Sequence, residues 1–447
     1  MTEELLRRIW ARDPSVWTGG DEASWLGWLD EPSRMRQAAH DLDGFAEQAA
    51  DEFSAVVLLG MGGSSLAPEV MRQTFDSVSF HVLDTTHPNA IRALEAELDV
   101  GRTLFLAASK SGTTTETRSH LAYFRARVDD PTHFAVVTDP GSPLEQLARE
   151  QGFRGIFHGE PTIGGRYSAL SAFGIVPAAL MGVDLDELLG RAERMREACE
   201  SPDSPGLELG LQLGRAWEEG RDKVCIDAPA GGFGLWAEQL LAESTGKQGK
   251  GLVPAPGESP SGPDRQAARV RLDDPYDLGA EFFRWELATA VAGSIIGINP
   301  FNQPDVQAAK DRTKQILEAA GEPSVEPEGS LDELLDGAEP PDYVAIQAFI
   351  DPANEGALAP LVRRALGTGC VVTLGLGPRY LHSTGQLHKG GPNTCVAIQV
   401  VDDTGDELPI PGADYGFGRL IRAQAAGDFA ALAERGRRVC RVRLEDL

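Results

Sequence analysis

A chain of 447 residues with 42% hydrophobic and 24% charged side chains has ordinary globular composition, and its length points to two domains of roughly 150 to 200 residues. A formal net charge of -27 repels nucleic acid and anionic membranes, so neither is expected as a partner, and an anionic metabolite would need local cations. Five scattered cysteines (Cys199, Cys225, Cys370, Cys395, Cys440) contain no CxxC pair, which argues against a disulfide framework or a zinc site.

The opening "MTEELLRRIWARDPSVW" mixes charge with apolar residues and carries no signal-peptide core. The apolar run "AFGIVPAALMGV" is too short to span a bilayer, so a cytoplasmic location is expected. From residue 53, short β-rich runs alternate with helix-period segments: "FSAVVLLG", "LAPEVMRQTF", "SFHVLDT", "AIRALEAEL", "RTLFLAAS", "TETRSHLAYFRARV", "HFAVVTD" and "PLEQLAREQG". This alternation predicts βαβ units and a parallel sheet covered by helices on both faces. The stretch "CESPDSPG" reads as a domain boundary. Beyond it, "KVCIDA", "PAGGFGLWAEQLLAEST", "YVAIQAFID", "GCVVTLGLG" and "TCVAIQVVD" predict a second α/β unit. The expected division is 1–200, 201–400 and a C-terminal segment 401–447.

Ligands of open parallel sheets bind beyond the carboxyl ends of the strands, where loops feed helix N-termini. "SKSGTTTET" (109–117) sits at such a junction, where backbone N–H groups, hydroxyls and the helix dipole suit a phosphate. Its spacing lacks the GxxxxGK[ST] of a nucleotide loop and so favours a monophosphate; the plainer reading is a Ser/Thr-rich N-cap. "GMGGSSLAP" (60–68) is a second loop of the same kind, with Gly63 permitting close backbone approach and Ser64 offering a hydroxyl.

Further along, Arg166 in "GGRYS" could hold an oxyanion or simply a carboxylate. Glu243 in "AESTGK" follows an apolar helical stretch. A carboxylate withdrawn from water there could act as a general base, although most glutamates at helix ends are solvated. "NPFNQPDVQAAK" (299–310) supplies Gln303 and Lys310, and "LHSTGQLHKGG" (381–391) supplies His382. Histidine and lysine can exchange protons with sugar oxygens, while a lone histidine is more often structural.

Taken together, "GMGGSSL", "SKSGTTTET", "GGRYS", "AESTGK", "NPFNQP" and "LHSTGQ" resemble the glucose-6-phosphate isomerase family, spanning most of residues 55 to 391. The resemblance implies two sugar-isomerase (SIS) domains, each an α/β three-layer sandwich with a mainly parallel sheet. It also implies interconversion of glucose 6-phosphate and fructose 6-phosphate without metal or organic cofactor, usually by a homodimer. On it, Gly63, Ser64, Ser109, Lys110, Ser111, Thr113, Thr114 and Thr117 would hold the phosphate and close the pocket, with Glu116 orienting neighbours. Glu243 would be the general base and Arg166 the enediolate partner. Gln303 and Lys310 would lie near the ring oxygen and hydroxyl, and His382 would open the ring. A related phosphosugar isomerase, for example one acting on mannose 6-phosphate, and a non-catalytic phosphosugar regulator are the competing readings.

The motif order departs from the common one. In most family members the histidine segment lies between the glutamate motif and the Gln/Lys motif and serves the partner subunit's site. Here "LHSTGQ" follows Lys310, an order similar to that in the isomerase half of fused transaldolase and glucose-6-phosphate isomerase proteins.

Overall fold

The structure is a computed structural model. It describes the chain apart from Met1, Pro229, Ala230, Asp305 and Ala320, and apart from the side chains of Thr2 and residues 306–311. Its first sheet is built from β1 (Ala55–Gly60), β2 (Phe80–Leu83), β3 (Thr103–Ala108), β4 (Phe134–Thr138) and β5 (Gly155–His158), in the order β2-β1-β3-β4-β5. Every pairing is parallel. β1, β3 and β4 are almost wholly buried, which is why they read as continuous apolar runs rather than alternating ones.

The second half contains two further parallel sheets. β6 (Lys223–Asp227) is flanked by β7 (Val253–Pro256) and β8 (Arg265–Arg269). The other sheet, β10-β9-β11-β12, comprises β9 (Tyr343–Phe349), β10 (Val371–Leu376), β11 (Cys395–Val401) and β12 (Arg438–Arg443). The α/β class with parallel sheets is as expected. What the run-by-run reading misses is the separation of the second half into a three-stranded and a four-stranded sheet. Residues 438–443, from the segment set apart as C-terminal, form an edge strand of the latter.

Helices cover these sheets. Asp277–Ile296 is buried over most of its circumference, packs against Leu185–Ala198 and Pro205–Glu218, and belongs to the largest apolar core. A smaller core stacks Phe105 between Phe124 and Phe134, with ring centroids 4.5 and 5.3 Å apart, on the opposite face of the first sheet. All five cysteines are buried and unpaired. No helix among the described residues is long and apolar enough to cross a membrane.

Candidate active site

Two loops after neighbouring strands of the first sheet open the site. β3 ends at Ala108, and from Ser109 the chain turns through Gly112, whose φ of +68° favours glycine, before Thr114 takes the N-cap position of the helix Thr115–Arg125. The hydroxyls of Ser109 and Thr114 lie 2.9 Å apart, as do those of Ser111 and Thr113. Thr117, fully buried one turn into the helix, has a hydroxyl with no hydrogen-bond partner. Short donors are therefore gathered at a helix N-terminus, where the dipole favours an anion. Lys110 is engaged elsewhere: its ammonium pairs with Asp139 and donates to the carbonyl of Glu160 at 3.2 Å.

β1 leads into the turn Gly62–Ser64, and the space around it is tight. A Cβ on Gly63 would stand 2.0 Å from the carbonyl oxygen of Gly165, and one on Gly62 2.5 Å from that of His382. Glycine is thus required where the first-sheet loop, the Arg166 turn and the His382 turn meet. Ser64 is buried in the same turn.

Arg166 is fully buried in the turn Gly165–Tyr167. Its Nε donates to Ser244 at 2.8 Å and its Nη2 to the carbonyls of Pro300 and Asn302 at 2.5 and 3.1 Å. Nη1 makes no hydrogen bond and lies 3.7 Å from Oε2 of Glu243. Burial pushes the guanidinium's pKa down, and Glu243 opposes that shift. Glu243 itself is buried near the end of the helix Phe233–Thr245. The "NPFNQP" segment thus supplies carbonyls that aim Arg166; Lys247 donates to the carbonyls of Asn299 and Asn302, tying that segment to the glutamate motif. Gln303 is exposed just beyond Asn302. Lys310 falls within the helix Val306–Glu318, and its side chain lies outside the described residues.

His382 closes the short turn Arg379–His382 that follows β10. Its Nε2 is 2.9 Å from Oε1 of Glu116 in the same chain, on the helix that carries the hydroxyl cluster. One protomer therefore brings this late histidine to its own first-sheet loops. Motif reading misses the residue joining the glutamate motif to the His382 turn: Gln239 donates from one Nε2 to Glu243 (3.2 Å) and to the carbonyl of His382 (2.8 Å). Its place one helical turn before Glu243, on the same face, was the available signal. Beside the His382 turn, a cavity of about 650 Å³ is lined by Glu238, Arg379, Tyr380, Ser383 and Thr384, among others.

Parallel α/β layers, a hydroxyl-lined helix N-terminus and a buried carboxylate beside a guanidinium are the arrangement expected of a sugar-isomerase (SIS) fold. The phosphoglucose isomerase family model matches residues 31–204. A glucose-6-phosphate isomerase of Synechococcus sp. (strain JA-3-3Ab) is 29% identical over 424 residues, 81% of this chain and 75% of that protein. One of Thermus thermophilus is 36% identical over 225 residues, 48% of this chain and 51% of its own length. Among solved structures, a glucose-6-phosphate isomerase of Chlamydia trachomatis shares the fold with a TM-score of 0.58 at 19% identity, over 70% of this chain and 83% of that one. A hypothetical protein of Thermus thermophilus gives 0.51 at 24% identity, over 99% and 83%. The chain is thus similar to glucose-6-phosphate isomerases, with the family model covering its first-sheet half.

Proposed function

We propose that the protein interconverts D-glucose 6-phosphate and D-fructose 6-phosphate through a cis-enediolate. The observation that carries this reading is Nη1 of Arg166, which makes no hydrogen bond and forms an ion pair 3.7 Å from the Glu243 carboxylate, with both groups buried. In this mechanism the phosphate docks on Ser109, Ser111, Thr113, Thr114 and Thr117, anchoring the sugar away from the reacting carbons so that binding energy fixes their orientation. His382, with Lys310, moves a proton between the ring oxygen and the anomeric hydroxyl to open the ring. Glu243 then removes the C2 proton; the electron pair forms the C1–C2 double bond, and the former aldehyde oxygen takes the negative charge beside Arg166. Glu243 returns the proton to C1 while the O2 hydroxyl proton passes to O1, giving the ketose.

On the same reading the substrate is a small sugar phosphate, the protein works in the cytoplasm in glycolysis and gluconeogenesis as a homodimer, and the division near residue 200 separates its two domains, with β12 from the segment after residue 400 completing a sheet of the second. Similarity to glucose-6-phosphate isomerases and the constellation of Glu243, Arg166 and His382 support this. The test is a coupled assay for formation of glucose 6-phosphate from fructose 6-phosphate, run with chelator present and repeated with mannose 6-phosphate. Tight phosphosugar binding without turnover would replace the enzyme by a phosphosugar-binding regulator; preference for mannose 6-phosphate would reassign the substrate.

A further inference from the structure

His382 is held from behind by a relay that begins on the C-terminal helix Phe417–Glu434. Gln424 on that helix is buried, and its Nε2 donates to Oε1 of Glu116 at 2.7 Å, the same oxygen that meets His382 Nε2 at 2.9 Å. The amide's other end accepts from the Thr86 hydroxyl at 2.8 Å, in the loop after β2, and this fixes which way the amide points. The helix is itself anchored: Gln399 on β11 donates to the carbonyl of Ala425 at 2.9 Å and accepts from Nε of Arg441 on β12 at 2.6 Å.

We propose that Gln424 is a positioning residue for ring opening: through Glu116 it holds His382 with Nε2 protonated, leaving Nδ1 as the basic nitrogen offered to the sugar. A carboxylate oxygen that already accepts from an amide N–H is an acceptor for the imidazole as well, so Nε2 must carry the proton. Without the amide, Glu116 loses a bond that orients it and the imidazole loses its fixed direction. The other titratable groups near Glu116 do not substitute. His120 on the same helix is buried, its pKa pushed down to about 4, and bonds the Thr85 carbonyl at 3.0 Å, while burial raises the pKa of Tyr415. Arg379, on the His382 turn itself, is committed to Asp84, and Glu243 is linked to that turn through Gln239. This role rests on the isomerase reading.

Gln424→Met keeps the volume and removes both polar ends; Thr86→Val frees the amide to turn. Gln424→Met is expected to lower kcat about 10-fold with KM within about twofold, and Thr86→Val to act in the same direction with a smaller effect. In a Glu116→Gln background either change should cost nothing further, because its path to His382 is already cut. An unchanged kcat, or the same fall in both backgrounds, overturns the proposal, and Thr86→Val decides it alone if Gln424→Met does not fold. NMR of the His382 imidazole supplies a readout independent of turnover. The protonated Nε2 signal should be present in the wild type and lost or fast-exchanging in Gln424→Met; its persistence overturns the proposal. A wild-type protein inactive on both sugars that still shows this change would instead remove the isomerase reading while leaving the positioning intact.

Discussion

Arg379 and Asp84 form a two-point pair between the His382 turn and the end of β2: Nε meets Oδ2 at 2.7 Å and Nη2 meets Oδ1 at 2.9 Å. Asp84 is almost fully buried and Arg379 partly so, and the carboxylate pushes the guanidinium's pKa up against the effect of burial. The pair carries the turn onto the first sheet three residues before the histidine. Asp84→Asn should therefore lower unfolding stability by about 2 kcal/mol, the scale of a lost charge-assisted bond, as read from the urea midpoint. Turnover should fall as well, since the turn loses its register; a variant with unchanged stability and unchanged kcat would show that the turn is held elsewhere.

Replacing Glu243 by Gln preserves shape and hydrogen-bonding capacity but removes the carboxylate proposed as the base. Binding of fructose 6-phosphate should stay within a fewfold of wild type while kcat drops by about 10³-fold or more. Exchange of the C2 proton with deuterated water is the direct measurement, and near-normal exchange would exclude Glu243 as the base.

Arg166→Lys keeps a positive charge but cannot reproduce the fork that joins Ser244, Pro300 and Asn302 on one edge and faces Glu243 on the other. A fall in kcat of about 10² to 10³-fold is expected, with a smaller change in KM, as for loss of an oxyanion partner. Stopped-flow and steady-state assays on the purified variant test this split.

Thr117→Val removes a buried hydroxyl that bonds nothing in the free protein. The change should leave thermal stability near wild type yet raise KM about fivefold to tenfold, the equivalent of one hydrogen bond to a phosphate oxygen. Equal KM values with and without the hydroxyl would remove Thr117 from the cradle.

Glu238 supplies a pH prediction. It lines the cavity beside Arg379, and burial drives its carboxyl up from 4.5 to about 8, with Arg379 opposing. The folded chain then keeps a proton that the unfolded chain releases, so this site's contribution is full below pH 4.5 and is lost as pH rises toward 8. Glu238→Gln should consequently gain stability relative to wild type as pH is raised from about 5 to about 8, measured by urea titration. A difference that does not change with pH would refute the shift.

The strands that the sequence announces plainly are the ones buried on both faces. "AVVLLG", "TLFLAA" and "FAVVT" become β1, β3 and β4 because both sheet faces are covered. β5, β7, β8 and β12 escape the same reading for separate local reasons. β5 is four residues long and half exposed, β7 is "VPAP", and the edge strands β8 ("RQAAR") and β12 ("RVCRVR") are broken up by arginines. Motif reading likewise finds residues with distinctive neighbours, such as Arg166 and Glu243. Gln239 and Gln424 are ordinary amides in helical sequence, and only the carboxylates they meet across the fold, or one turn away, give them meaning.

The parallel arrangement of β11 and β12, with the Gln424 helix crossing between them, ties residues 417–443 to the helix that follows the first sheet's hydroxyl loop. Glu116 and Gln424 lie 308 residues apart in sequence and meet at one carboxylate oxygen, so the backing of His382 by the amide is a contact of high closure entropy, formed only once both halves of the chain have been brought together.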